Sequence, residues 1–553
     1  MRGLMMDTPL LLTDMLRHAA IAHGATEVVS RMIDGGIHRY SYRQALDRCR
    51  RLSAALAAFD LAPGDRIGSL AWNTHHHFEL FYGIPGQGYV LHTLNPRLHE
   101  DTLVQIITHA EDTWIFIDAA TLPLAELLAP RLPQIRGWIY MDATETIPQT
   151  SLGNVISYEA LISSQPPGHQ WPILDENAAS IMCYTSGTTG APKGIVYSHR
   201  SIVLASLFMS MADMVGGYRG GHRETVMPVA PLFHANGWMM PFTAPMNGQK
   251  LVLPGRNFEA DRLCDLIQSE EVTVVAAVPT VWLAIAAHLD TANTALPSLR
   301  AAMVAGTKAP RSLVENLERR GISVGQVWGM TEAAGGVRAT PAPGVADLAA
   351  DEQFARKMRQ GRIGFGTELR IMSDTAEPLP HDGIALGHLE ARGPCVSSGY
   401  YKLDHPVSNG WLTTGDVARI HADGSIEIVD RSKDVIKSGG EWISSQAIEV
   451  AVLEHPAIFQ AAVIAMHHDR WQERPLLVAV GKPGATVTSD DLLDHLRTRI
   501  PKWWMPDQVV FIDALPVTAS GKVRKAELRE TLMRDQQFHI PQPPPTDPLP
   551  SAL

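Results

Sequence analysis

The chain has 553 residues, 45% hydrophobic and 19% charged, which is ordinary for a folded protein and too long for a single core. Its formal net charge of −11 argues against a nucleic-acid or anionic-membrane surface. Four widely spaced cysteines, Cys49, Cys183, Cys264 and Cys395, form no CxxC pair; they predict neither a zinc site nor a disulfide framework and fit a reducing compartment.

Near the N-terminus, Asp7 and Asp14 interrupt any apolar core after Arg2, so no secretory signal is expected. Residues 1 to about 175 alternate helical and strand patterns, with a helix over 42–56 and buried strands over 65–71 and 113–118. Such alternation predicts mostly parallel sheets covered by helices.

Residues 184–199 read Tyr-Thr-Ser-Gly-Thr-Thr-Gly-Ala-Pro-Lys-Gly-Ile-Val-Tyr-Ser-His. Thr185, Ser186, Thr188 and Thr189 supply hydroxyl donors, Gly187 and Gly190 let backbone N–H groups turn inward, and Lys193 adds a point charge. Together they predict a cradle for a polyphosphate. It is not a Walker A loop, because Pro192 precedes Lys193 and no Gly-Lys-Ser/Thr opens directly into a helix. The pattern predicts strand, glycine-rich loop, strand, and then a helix from His199. On composition alone the same residues also fit a flexible surface turn.

Further along, residues 227–238 carry little charge and several aromatics. The longest apolar run, 272–289, is broken by Pro279 and predicts a strand over 272–278 and then a helix, which leaves no membrane-spanning segment. In Val-Trp-Gly-Met-Thr-Glu (327–332), Trp328 followed by Gly329 offers a flat face suited to stacking adenine. Thr331 and Glu332 offer hard oxygen ligands for Mg²⁺, although a Thr-Glu pair alone is more often a helix cap. Short strands dominate from 364 to 430. Within them Asp416 follows a turn, either to take both ribose hydroxyls or as a plain exposed acid. The charged segment 430–434 is the hinge candidate, and 435–532 carries its own amphipathic pattern, enough for a small α+β domain. A basic cluster lies at 515–525, and the proline-rich 541–550 is expected to be disordered.

The stretch 184–199 resembles the phosphate-binding signature of the adenylate-forming superfamily: acyl-CoA synthetases, luciferases and the adenylation domains of peptide synthetases. The resemblance covers residues 5 to about 535 and implies activation of a carboxylate by ATP to an acyl-adenylate. It implies an α/β fold with a large N-terminal domain (1–430) of mixed and parallel sheets with helices plus a small β-rich subdomain. A hinge (431–435), a small mobile α+β C-terminal domain (436–535) and a tail (536–553) follow.

Residue by residue, the resemblance implies that Thr185, Ser186, Gly187, Thr188, Thr189, Gly190 and Lys193 grip the phosphates. Gly306, Thr307, Trp328, Gly329, Met330 and Thr331 are implied around the nucleotide, with Asp416 on ribose and Arg431 beside ribose and phosphate. Thr185 and Glu332 are implied as metal ligands and, with Lys522 in Pro-x-Thr-x-x-Gly-Lys, as the catalytic set. Lys522 bridges carboxylate and α-phosphate, an electrostatic role. Lys433 is implied as the pivot between an adenylating and a thioester-forming pose. Lys437, Ser438, Gly439, Gly440 and Trp442 then face CoA, the glycines admitting its thiol.

Gly-Glu-Trp-Ile-Ser-Ser (440–445) and Trp-Gln-Glu-Arg-Pro (471–475) look most like the fatty acyl-CoA ligase branch. Phe-His-Ala-Asn-Gly-Trp (233–238) resembles the acyl-binding motif of medium- and long-chain enzymes, with His234 packing on the acyl chain and Trp238 gating its tunnel. Two departures stand out: Lys308 replaces a small residue, and Ala-Ala-Gly-Gly (333–336) replaces a hydroxyl-rich run. Ligases for short thioether acids such as methylmercaptopropionate share the other motifs and are the alternative. A luciferase-like oxidase is disfavoured by the branch signature, and a nucleotide binder without catalysis by Glu332, Asp416 and Lys522 together. The implied small molecules are a carboxylic acid, ATP, Mg²⁺ and coenzyme A, with no nucleic acid, in the cytoplasm; a homodimer is left open.

Overall fold

The computed structural model describes residues 1, 3–185, 192–211, 224–334, 336–338, 344–403, 407–439, 441–517 and 523–534. Runs such as Val90–Leu94 and Trp114–Asp118 have no polar face and are buried on both sides, the pattern of parallel strands covered by helices. They build one of two seven-stranded sheets. Its order is Val155–Ser157, Gly137–Met141, Trp114–Asp118, Arg66–Leu70, Val90–Leu94, Ala179–Thr185, Lys193–Ser198, parallel except for the last pair. The other runs Ser323–Gln326, Ala301–Val304, Val274–Ala277, Thr225–Pro228, Lys250–Leu253, Glu27–Arg31, Ile37–Ser41, again with a single antiparallel pair at one edge.

Local signals place the helices. Tyr42–Ala57 opens with a capping box between Ser41 and Gln44, and Pro279–Thr291 starts on a proline directly after Val274–Ala277. A smaller antiparallel sheet follows: Glu368–Met372, Gly387–Arg392, Trp411–Ile420 and Val407–Ser408, with Ile426–Arg431 on the far part of Trp411–Ile420. The chain divides into two compact units, Met1–Lys433 and Asp434–Leu553. The second holds a five-stranded sheet, mostly antiparallel, with the helices Ser445–Leu453, Ser489–Arg497 and Lys525–Arg534. All four cysteines are buried and free. Among the described residues no helix is long and apolar enough to cross a membrane.

Polar groups buried in the larger unit are mostly paired. Arg48 donates to Glu79 at 2.7 Å and bidentately to Glu159 at 2.6 and 2.9 Å, and Tyr158 donates to the second oxygen of Glu79 at 2.5 Å. Beside them His38 stacks on His75 and His76 lies tilted against it, with successive ring centroids 3.9 Å apart. His75, His76 and Glu159 bring ligand atoms within 4.8 Å of one another. Both oxygens of Glu159 are already taken by Arg48, however, so the cluster is an ion network rather than a metal centre. Burial works against the charge of Glu159, yet Arg48 and His76 outweigh it and bring its pKa down to about 2.

His199 is one of the exceptions. It opens the helix His199–Ser210, is fully buried, and neither ring nitrogen has a hydrogen-bond partner among the described residues. Burial lowers its pKa to about 4. A base whose folded pKa is depressed is held neutral, so stability falls as pH drops from the unfolded pKa toward the folded one. His199→Leu is therefore expected to gain roughly 2 kcal/mol over the parent between pH 7.5 and pH 5. Urea midpoints at the two pH values measure this; a gain independent of pH would refute it.

Candidate active site

Thr185 ends one strand and Lys193 opens the next, and the two face each other across the antiparallel ladder. Ser186, Gly187, Thr188, Thr189 and Gly190 lie outside the described residues. The base of this loop is held by aromatic rings. The Tyr184 hydroxyl and His109 Nδ1 are 2.6 Å apart; burial and then Asp112 push the tyrosine pKa up, so it stays neutral. At Gly194 a Cβ would meet the Tyr184 ring at 3.0 Å and Tyr401 Cβ at 3.1 Å. The Tyr401 N–H donates to the Gly194 carbonyl at 2.8 Å, so only glycine fits this sandwich without displacement.

Residues 327–338 fold back on themselves. The Val337 N–H donates to the Trp328 carbonyl at 3.1 Å, and Ala333 N–H to the Met330 carbonyl at 3.0 Å. Gly336, at φ +40°, lies so close that a Cβ would sit 2.2 Å from the Trp328 carbonyl oxygen. Thr331 and Glu332 are both buried on this turn, and the described residues after them, 333–334 and 336–338, form no helix for the pair to cap. The Thr331 carbonyl accepts from Tyr197 Oη at 2.5 Å, and the Glu332 carbonyl from the Ser397 N–H at 2.7 Å. Glu332 Oε1 accepts from Tyr400 Oη at 3.1 Å.

Trp328 does not offer an open face. It is 8% exposed and packs with Val337, Leu369 and Ile371, because an indole gains more from core burial than from exposure. Its N–H donates to Asp416 Oδ2 at 2.8 Å, which ties the 327–332 motif to the ribose candidate 88 positions away. Asp416 is 3% exposed and stands opposite Arg431 in the ladder, with Arg431 Nε 3.0 Å from its Oδ1. It is not an exposed turn acid.

Gly306, at φ +95°, and Thr307 are exposed beyond Ala301–Val304. Lys308 is spoken for: its ammonium pairs with Glu427 at 3.3 Å. Burial opposes the charge of Glu427, but Lys308 and Arg419 hold its pKa below the ordinary carboxylate range. The lysine thus joins this loop to the strand Ile426–Arg431.

The expected acyl-binding stretch has an unusual backbone. Asn236, Gly237, Trp238 and Met239 have φ of 48°, 55°, 49° and 66°, a full left-handed turn. Such a turn costs about 1–2 kcal/mol per non-glycine residue and persists only where its surroundings hold it. Asn236, 1% exposed, accepts from the Cys183 thiol at 3.3 Å, and burial keeps that thiol protonated, with a pKa pushed up to about 11. Trp238 is partly buried against the main core, and Phe233 meets Trp72 edge to face at 5.7 Å. His234 is partly buried beside it, its N–H donating to the Pro231 carbonyl.

Lys433 is the last residue of the larger unit. In the smaller unit Ile436–Ser438 and Glu441–Ile443 pair as a hairpin. At its turn Gly439, φ +59°, donates its N–H to the Trp471 carbonyl at 2.9 Å, and a Cβ there would meet the Trp471 ring at 3.0 Å. Ser438 is buried, with its carbonyl 3.4 Å from Trp503 Nε1, and the Lys437 ammonium lies 4.8 Å from the Trp442 ring centre. Gly440 and Lys522 lie outside the described residues.

Sequence reasoning passes over Tyr184, Tyr197, Tyr400 and Tyr401, which hold the two loops. The sole local signal is the aromatic pair Tyr400-Tyr401 after Ser-Ser-Gly, in a segment otherwise read as short strands.

Comparison with known proteins places this arrangement. The AMP-binding enzyme model matches residues 16–401, and the AMP-binding enzyme C-terminal domain matches 447–522. The chain is 42% identical over 539 residues to 3-methylmercaptopropionyl-CoA ligase of Ruegeria lacuscaerulensis, covering 96% of this chain and 98% of that one. It is 40% identical to the medium-chain-fatty-acid–CoA ligase of Ectopseudomonas oleovorans, covering 96% and 97%. A solved anthranilate CoA ligase, AuaEII with anthranoyl-AMP, shares the fold at TM-score 0.83 and 24% identity, covering 96% and 99%. Both family models match in order and the relatives align along nearly the whole length: this chain belongs to the AMP-binding enzyme family, in the adenylate-forming superfamily that includes the acyl-CoA ligases.

Proposed function

We propose that this acid–thiol ligase joins a medium- or long-chain fatty acid to coenzyme A in two half-reactions. A substrate carboxylate oxygen attacks the α-phosphorus of ATP and pyrophosphate leaves. The CoA sulfur then attacks the acyl carbonyl and AMP leaves. The observation that carries the reading is Glu332, a buried carboxylate held by Ser397 and Tyr400 on a loop tied through Trp328 to Asp416.

In this reading Lys193 and the loop 185–190 bind the phosphates, Asp416 orients the ribose, and Arg431 braces Asp416. The Thr185 hydroxyl and Glu332 carboxylate are hard oxygen donors of the type Mg²⁺ selects. Bound with ATP, Mg²⁺ neutralises charge on the phosphates. Lys522 supplies a cation between carboxylate and α-phosphate, and Gly306, Thr307, Gly329 and Met330 border the nucleotide. Lys433 is the pivot between domain 1–430 with its hinge and the C-terminal domain 436–535. Lys437, Ser438, Gly439, Gly440 and Trp442 form the thiol side, with Gly439 letting the Trp471 ring pack closely on the hairpin turn.

The acyl chain is assigned to Phe233–Trp238, which is apolar and aromatic apart from His234 and Asn236. A short thioether acid is the second reading, favoured by the 42% identity to 3-methylmercaptopropionyl-CoA ligase. A panel from propionate to palmitate, including 3-methylmercaptopropionate, scored by CoA-dependent AMP formation, decides between them. Trp238→Ala is expected to reorder the fatty acids while leaving KM for ATP within about twofold, since each buried methylene is worth about 0.8 kcal/mol. An unchanged chain-length profile would place the acyl site elsewhere.

A further inference from the structure

We infer that Tyr400 is a positioning residue for the metal–triphosphate grip, setting the carboxylate of Glu332 and the ammonium of Lys193 from one ring. This rests on the adenylation reading above. The Tyr400 hydroxyl donates to Glu332 Oε1 at 3.1 Å, and the Lys193 ammonium lies 4.7 Å from the centre of the same ring. The carboxylate and the ammonium belong to elements 139 positions apart (332 − 193) that share no strand ladder. The Tyr400 side chain touches both.

Its own position is fixed from two sides. The Ser397 N–H donates to the Glu332 carbonyl at 2.7 Å, the Ala334 N–H to the Cys395 carbonyl at 3.1 Å, and Ala333 bridges Val396. On the other side Tyr401 N–H donates to the Gly194 carbonyl at 2.8 Å, and Lys402 reaches Glu111 at 2.8 Å and the His109 carbonyl at 3.1 Å. The segment 395–402 is thus pinned to the carboxylate loop at one end and to the phosphate-loop strand at the other. A ring fixed this way restricts both charged groups before any ligand arrives. A tyrosine hydroxyl is protonated at neutral pH and so donates to the carboxylate.

The chemistry follows from this geometry. A hydrogen bond to one carboxylate oxygen fixes the carboxyl plane and directs the other oxygen toward a cation. Partners that orient a metal ligand typically change metal affinity by 10–100-fold when removed. The aromatic face holds the lysine ammonium where a weak cation–π contact yields readily to a phosphate oxygen.

Tyr400→Phe keeps the ring and deletes the hydroxyl; Tyr400→Leu deletes both. Titration calorimetry of the full chain with ATP, with and without MgCl₂, reads the effect without turnover. The phenylalanine variant is expected to bind MgATP about tenfold more weakly than the parent while metal-free ATP binding stays within twofold. The leucine variant is expected to weaken both. Carboxylate-dependent pyrophosphate exchange should show the same split, Tyr400→Phe recovering with added Mg²⁺ and Tyr400→Leu not. MgATP affinity unchanged in Tyr400→Phe, or an equal loss with and without metal, would overturn the inference. Absence of exchange by the parent would instead fail the ligase reading, and the calorimetry would still decide on Tyr400.

Discussion

Glu332→Gln is expected to lower carboxylate-dependent pyrophosphate exchange by about 10²-fold or more, roughly 3 kcal/mol of lost transition-state stabilisation. Glutamine preserves shape, and its amide oxygen still accepts from Tyr400 Oη, while the backbone carbonyl of residue 332 still accepts from Ser397. The loop fold is therefore retained and only the charge is lost. A neutral amide is a poor ligand for a hard cation, so excess Mg²⁺ should not restore the rate. Unfolding curves that overlay the parent's, with exchange slowed at every Mg²⁺ concentration, are the expected pair of results. Near-normal exchange at saturating Mg²⁺ would remove Glu332 from the metal site.

The fold of the nucleotide-handling unit is legible where a local rule acts alone. Pro279 after an apolar run starts a helix, Ser41 and Gln44 cap another, and Gly187, Gly190 and Pro192 in the sequence mark the interruption between the strands Ala179–Thr185 and Lys193–Ser198. The acids Glu332 and Asp416 are singled out in the sequence through the resemblance to the adenylate-forming motifs. What holds them is not, because it depends on pairs far apart in sequence: Tyr400 with Glu332 across 68 positions, and Trp328 with Asp416 across 88. Trp328 shows the limit clearly. An aromatic before glycine suggests a ligand face, yet the same ring also completes a core with Val337, Leu369 and Ile371, and burial decides where it goes. The left-handed turn at 236–239 is hidden for a similar reason. Asn-Gly permits positive φ, but Trp238 and Met239 adopt it only under tertiary packing.

The Arg48 network is equally invisible in sequence and carries the largest expected effect on stability. Arg48 joins Glu79, whose side chain is fully buried, to Glu159, 31 and 111 positions away. Arg48→Met leaves two carboxylates facing each other without their cation, and breaking a buried pair this way costs about 3–5 kcal/mol. The pH dependence identifies the cause. In the parent the folded pKa of Glu159 is depressed to about 2, so its contribution is complete above the unfolded value and is lost only as pH falls toward 2. In the variant, burial without a cation raises the carboxylate pKa values instead. Protonation then relieves the cost in acid, and the deficit relative to the parent should widen as pH rises from 4 to 7. Arg48→Lys, which cannot bond Glu159 bidentately while reaching Glu79, should lose part of this amount. Adding Glu79→Gln and Glu159→Gln to Arg48→Met should recover most of it by removing the stranded charges. Urea unfolding of the parent and the three variants across that pH range provides the measurement. A deficit below about 1 kcal/mol, or one that does not change with pH, would mean that packing of His38, His75 and His76 rather than the ion network holds this part of the core.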